Sequence, residues 1–244
     1  MTISLYLDNY DLAAFTAIAA QFGHESLGYV VTPNVDHVIR YHDDESFRAL
    51  YAQADYVLLD SRVLAYLLRL MKGVNPRICT GSDLTAQLLR LAAPGDRIVL
   101  IGASVRQAER LRTDYGLRNL MHYEPPMGFI RDPQAVEVCL QFIEAHSPFR
   151  FCFVAVGSPQ QERLAQRLKF RGSARGLALC VGGSINFLTG DERRAPRWIQ
   201  RIGFEWLFRL LQDPGRLAKR YLIRGPRILV LLPTIHFELG RSKA

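Results

Sequence analysis

The sequence predicts a Rossmann-like α/β fold, a largely parallel sheet with crossover helices, carrying a basic amphipathic helical appendage at its C-terminus. Three observations predict it. Short apolar runs alternate with amphipathic stretches, the pattern of parallel strands joined by helices. The apolar runs end in small, polar and glycine-rich residues, as the strands of a nucleotide-binding sheet do. Segment 193–227 holds ten Lys/Arg against only Glu205 and Asp213, a local charge of +8 that equals the net charge of the whole chain.

Taken in order, 28–32 (GYVVT) is aromatic and β-branched, as a buried strand requires, and it closes on Thr32-Pro33-Asn34. Asp36, Asp43 and Asp44 flank His37 and His42; this reads as solvated charge on an exposed helix rather than a metal site. An amphipathic stretch, 46–54, leads to 56–60 (YVLLD), an apolar strand ended by Asp60. There a carboxylate is equally suited to capping helix 62–71, binding ribose hydroxyls or acting as a general base. Strand-like 77–80 (RICT) precedes helix 83–92, and 97–102 (RIVLIG) ends at Gly102 before helix 105–115. Helix 133–146 feeds 151–157 (FCFVAVG), whose end, Gly157-Ser158-Pro159, opens helix 159–169 with Gln160, Gln161 and Glu162 in its first turn. Strand 177–183 (LALCVGG) ends at Gly182-Gly183-Ser184. Glycines at Gly102, Gly157 and Gly183 let backbone N–H groups approach phosphate oxygens closely, so these positions are expected in a donor site. The composition shifts near Gly190, which divides an α/β body, 1–190, from a basic-aromatic appendage, 191–244.

With 244 residues, 49% hydrophobic and 22% charged, the chain can bury a full core, which excludes disorder. No basic n-region followed by an apolar h-region opens it, so a cytoplasmic location is expected. The run 228–237 (ILVLLPTIHF) is half of what a spanning helix needs and is broken by Pro233. Cys79, Cys139, Cys152 and Cys180 show no metal-ligand spacing and read as buried thiols. No Asp-x-Asp occurs, so a bound diphosphate is expected to be held without metal or other cofactor, by Arg, Gln and backbone donors. IGAS at 101–104 lacks the further glycines of a dinucleotide fingerprint, and on pattern alone a Rossmann-like SAM-dependent methyltransferase stays open. A nucleic-acid-binding protein is the rival from another class, because cations interleaved with aromatics also fit RNA. Confinement of the excess charge to one tail argues against it.

Several segments together resemble the WecG/TagA/CpsF family of bacterial glycosyltransferases, glycosyltransferase family 26. They are TPNVDH (32–37), ADYVLLD (54–60), RICTGSDL (77–84), GF (128–129), VGSPQQE (156–162), VGGSINFLTG (181–190) and RAPRW with GFEWLFRLLQDPGRLAKRY (194–221). The resemblance implies an inverting transferase that moves a sugar from a UDP-sugar to a polyprenyl-diphosphate-linked saccharide at the inner membrane face, in surface polysaccharide synthesis. It implies Asp60 as general base, with Thr32, Asn34, Arg77 and Gln161 as the catalytic and donor-pocket set, and a donor site that includes Gln160 and Glu162. Phe129 stands where the family commonly has Tyr near the uracil, and Asn186 where it has Asp near the ribose. Phe keeps the stacking surface and Asn keeps hydrogen bonding without charge. Ser61 replaces a usual Gly, and Gln160 a usual Lys. Arg209, Arg216 and Arg220 are expected to meet the diphosphate of donor or acceptor, while the tail lies on an anionic membrane surface. No nucleic-acid partner is expected; self-association and the identity of the donor sugar stay open.

Overall fold

The computed structural model describes residues 3–240. Its centre is a six-stranded, all-parallel sheet in the order β3-β2-β7-β6-β4-β5. The strands are β2 (Leu27–Val31), β3 (Tyr56–Val57), β4 (Ile98–Gly102), β5 (Leu120–Tyr123), β6 (Phe151–Ala155) and β7 (Gly176–Cys180). A separate parallel pair joins the two ends of the chain, β1 (Ile3–Leu7) with β8 (Ile235–Leu239). Helices α1 (Leu12–Gln21), α2 (Val35–Asp43), α3 (Glu45–Ala52), α4 (Arg62–Lys72), α5 (Gly81–Leu91), α6 (Val105–Tyr115), α7 (Pro133–Ala145), α8 (Gln160–Arg171) and α9 (Ser184–Leu188) complete the body.

Side chains alternate along each strand and so build two cores, one on each sheet face. Val99 and Ile101 of β4 join the cluster under α2, α3, α4, α7 and α8. Ile98 and Leu100 join the other, under α1, α5 and α6. Strand β4 hands the chain outward to β5, whereas β6 hands it back to β7, so the carboxyl ends of β4 and β6 flank a topological switch point. Local signals fix where helices start: Ser61, Thr80 and Ser104 cap α4, α5 and α6, and Asn34 with His37 forms a capping box on α2.

Two expectations need correction. Segment 77–80 is not a strand, since Pro76 removes a donor and a single backbone bond, Cys79 N–H to Leu59 O at 3.0 Å, ties it alongside the end of 56–60. The charged helix of 35–43 is not wholly exposed either: His37, Val38, Ile39 and Tyr41 are buried, leaving Asp36 and Asp43 to pair with arginines. Strands β1 and β5 and helix α1 are additional elements that periodicity did not single out.

Beyond α9 the chain forms α10 (Arg197–Arg201), α11 (Glu205–Gln212) and α12 (Pro214–Ala218), a π-helical stretch (Lys219–Arg224) and α13 (Ile228–Leu231). It then returns to the body. Ile228, Leu232, Ile235 and Phe237 are buried in the larger core, so the run 228–237 packs on the body. Among the described residues no helix is long and apolar enough to cross a membrane.

Candidate active site

A cavity of about 690 Å³ opens at the carboxyl ends of β2, β6 and β7, between those ends, α4 and the returning tail. Thr32 follows β2, Asp60 ends the 56–60 segment, and Gly182, Gly183 and Ser184 follow β7; all line it. Gly81 shows how tightly these groups converge. A Cβ there would lie 3.3 Å from Thr32 Oγ1, 3.5 Å from Ser184 Oγ and 3.6 Å from Asp60 Oδ2. Thr32 Oγ1 donates to Cys180 O at 3.3 Å and Ser184 Oγ to Val181 O at 2.6 Å, so both hydroxyls are anchored to the strand-end backbone.

Asp60 is free of the capping role that its position allowed. The side chain of Ser61 accepts from Leu64 N at 3.1 Å and caps α4 instead. Burial pushes the Asp60 carboxyl up to about 7; a backbone N–H from Gly81, with Arg209 and Arg194 nearby, opposes the rise, and Glu205 adds to it. A carboxyl of that affinity is protonated about as readily as a histidine and is poised for proton transfer at neutral pH. His37 moves the other way. Burial, then the charge of Arg220, lowers its imidazole to about 4, so it stands neutral on the cavity wall.

Gln161 is held in one orientation. Its Oε1 accepts from Gly182 N at 2.8 Å and its Nε2 donates to Glu162 Oε1 at 2.9 Å. Glu162 is fully buried, its carboxyl raised by that burial, and its Oε2 has no hydrogen-bond partner among the described residues.

The tail supplies a cationic wall. Arg220 donates to Asn34 Oδ1 at 3.3 Å, tying the tail to the start of α2. Glu192 gathers two more: Arg216 at 2.9 Å and Arg209 at 3.5 Å, the latter stacked 4.9 Å over Phe187. Arg194 pairs with Asp83 at 2.5 Å. Buried nitrogens of Arg194 (Nε, Nη2), Arg209 (Nε) and Arg220 (Nε) make no hydrogen bond among the described residues, Arg220 Nε being held only by an ion pair to Asp36 at 3.8 Å. Leaving a buried donor unmet costs on the order of 1–3 kcal/mol, a cost that an anionic ligand removes. Among the described residues no group of three or more His, Cys, Asp and Glu side chains is placed to hold a metal ion.

Of the residues singled out from sequence, Thr32, Asn34, Asp60, Gly157, Gln161, Gly183, Arg209, Arg216 and Arg220 are brought together on this cavity. Others are placed elsewhere. Arg77 is exposed and paired with Asp11, with Asn9 accepting from its backbone N–H at 2.7 Å. Gln160 and Glu162 lie in the first turn of α8 off the cavity wall, where Glu162 acts through Gln161. Phe129 is buried in the larger core. Asn186 accepts from Gln107 at 2.9 Å and donates to Glu192 at 3.2 Å. Gly102, with φ of +86°, ends β4 at the switch point, and a Cβ there would press within 2.9 Å of Ala155 backbone. Sequence reasoning missed Arg194, Glu192, Glu205 and the neutral role of His37. Glu205 had one available signal, its place as one of only two acids in a segment otherwise basic.

In a comparison with protein-family models, the model of the glycosyl transferase WecG/TagA/CpsF family matches residues 2–241, nearly the whole chain.

Proposed function

We propose, for a chain that belongs to the WecG/TagA/CpsF glycosyl transferase family, that it transfers a sugar with inversion from a UDP-sugar to a polyprenyl-diphosphate-linked saccharide. Family membership makes it a glycosyltransferase of polysaccharide biosynthesis; donor, acceptor and membrane site are the finer parts of this reading. The observation that carries it is the Asp60 carboxyl, raised to about 7 beneath a wall of arginines with unspent donors.

A sugar hydroxyl is a weak nucleophile, so a base must take its proton as it attacks C1 from the face opposite the leaving UDP. Ionised Asp60 is the group for that. As the C1–O bond breaks, negative charge grows on the diphosphate, and guanidinium groups already fixed by Glu192 and Asn34 stabilise it without reorganising. Gln161, fixed by Gly182 and Glu162, lines the same cavity. Thr32 and Ser184 shape the floor. Binding is read as independent of metal, with UDP phosphates held by Arg and backbone donors. The chain would work on the inner face of the membrane, its basic-aromatic tail against anionic headgroups.

The test separates binding from chemistry. Calorimetric titration should show UDP binding by wild type and by Asp60→Asn alike, while turnover with a lipid-linked acceptor falls at least about 1000-fold in the variant. Near-wild-type turnover in Asp60→Asn would remove the base from the mechanism. Failure of the wild type to bind UDP would remove the donor.

A further inference from the structure

A helix that packs one side on a globular body needs one apolar stripe. Helix α4 has two. Leu64 and Leu68 are fully buried and form the core stripe. Val63, Tyr66, Leu67 and Leu70, spaced i, i+3, i+4 and i+7, form a second on another face of the same helix. Val63 and Leu67 line the cavity, whereas Tyr66 and Leu70, next along the stripe, are 65% and 68% exposed. The core gains nothing from those two residues.

The tail mirrors this face across the cavity mouth. Ile228 and Leu229 line the wall, and Leu222, Ile223, Leu229 and Val230 are exposed around it. The two sides are physically joined: α4 packs on the turn 232–234, and Lys72 Nζ donates to Pro233 O at 3.1 Å. Charge follows the apolar residues. Helix α4 carries Arg62, Arg69 and Lys72 with no acidic residue, and exposed Lys219 and Arg224 sit on the tail side. Two acids beside these cations are engaged, Glu205 with Arg62 at 3.8 Å and Asp43 with Arg227 at 2.9 Å.

The geometry points to α4 of the α/β body as the second half of a membrane-docking rim, with Tyr66 and Leu70 entering the headgroup–acyl boundary of an anionic bilayer opposite the tail. This rests on the membrane reading above but extends it, because the tail alone does not close the rim. An apolar ring flanked by cations suits that one partner. Anionic headgroups meet Arg69, Lys72, Lys219 and Arg224, while the ring of Tyr66 sits at the interface and Leu70 below it. Seated so, the cavity mouth opens on the lipid phase, where a lipid-linked acceptor resides.

The experiment uses the full chain and vesicles of phosphatidylglycerol mixed with phosphatidylcholine, in a flotation assay. Wild type should float with anionic vesicles. The double substitution Tyr66→Glu with Leu70→Glu should weaken binding by about tenfold or more, since two carboxylates replace two inserted apolar groups. Phe170→Glu, at a 67%-exposed residue on α8, should leave binding unchanged. Both substitutions are on exposed positions, and a thermal melt checks that each variant is folded. A second readout does not depend on loss of function: Leu70→Cys carrying an environment-sensitive fluorophore should shift to the blue on anionic vesicles, labelling being selective because Cys79, Cys139, Cys152 and Cys180 are buried. If wild type binds vesicles but the double variant binds equally and the fluorophore stays in water, the α4 proposal is wrong and the tail docks alone. If wild type does not bind at all, the membrane reading itself fails, and the proposal with it. If the double variant instead turns a dimer into a monomer in sedimentation while vesicle binding is unchanged, the stripe is covered by a second copy of the chain, which also overturns it.

Discussion

Replacing Asp60 by Asn should make the protein more stable above neutral pH while removing its activity. In the unfolded chain the carboxyl ionises near its ordinary value, about 3.9, whereas in the folded protein burial holds the proton until about 7. Below pH 4 both states keep the proton and Asp60 costs nothing. Between pH 4 and 7 the unfolded state releases it and the folded state does not, so stability falls as pH rises. Roughly three units at 1.36 kcal/mol each give a loss of about 4 kcal/mol, complete once the folded carboxyl has ionised. Asn has the same size and no proton to lose. Urea unfolding of wild type and Asp60→Asn from pH 4 to 9 should therefore give a gap in favour of Asn that opens between pH 4 and 7 and then stays level. The rate runs with the opposite sign, since only the ionised base accepts a proton: kcat/KM of wild type should rise with pH through about 7. A constant gap in stability across the range, or a rate that is flat from pH 5 to 8, would refute the argument that this carboxyl is desolvated and titrates as the base.

Other substitutions separate structural from chemical roles. Ser61→Ala removes the α4 cap and should cost about 1 kcal/mol of stability with kcat unchanged, measured by denaturant melts and turnover. Arg220→Ala deletes a guanidinium that ties the tail to Asn34, and should lower kcat by about 10- to 100-fold; an unchanged kcat would leave Arg220 as a tether only. Glu162→Gln keeps an oxygen that can accept from the Gln161 amide and should destabilise less than Glu162→Ala, which leaves that amide unmet at a cost of about 1–3 kcal/mol, as denaturant melts of the two variants would show. Transfer should persist in EDTA; abolition by chelator with rescue by Mg²⁺ or Mn²⁺ would contradict metal-independent binding.

The ends of β2, β4, β6 and β7 and of segment 56–60 were legible because a parallel sheet buried on both faces writes its central strands as apolar runs, and the chain closes these with glycine, threonine or a carboxylate. That placed Thr32, Asp60, Gly157 and Gly183 together on one edge, where the structure also has them. Strand β1 was hidden because its partner β8 lies at the far end of the chain, a pairing that local pattern does not encode. The same pairing changes how the tail must be tested. Cutting after Gly190 would strip Ile228, Leu232, Ile235 and Phe237 from the core, so point substitutions test its roles more cleanly than truncation. Arg77 illustrates the limit of reading a role from a motif: the residue matches, but its guanidinium pairs with Asp11 outside the cavity. Arg194 shows the converse, a basic residue among many in sequence that pairs with Asp83 through one nitrogen while its buried Nε and Nη2 make no hydrogen bond among the described residues.

The proposed reaction is transfer from a UDP-sugar to a polyprenyl-diphosphate-linked saccharide with inversion. The most direct measurement incubates the full chain with a panel of UDP-sugars and a short-chain lipid-linked acceptor, follows the lipid product by mass spectrometry, and assigns the new linkage by NMR. The expected result is a lipid product heavier by one glycosyl residue with one donor of the panel, with anomeric configuration opposite to that of the donor, and no product with Asp60→Asn. Retention of configuration, or UDP-sugar hydrolysis with no lipid product from any donor, would contradict it.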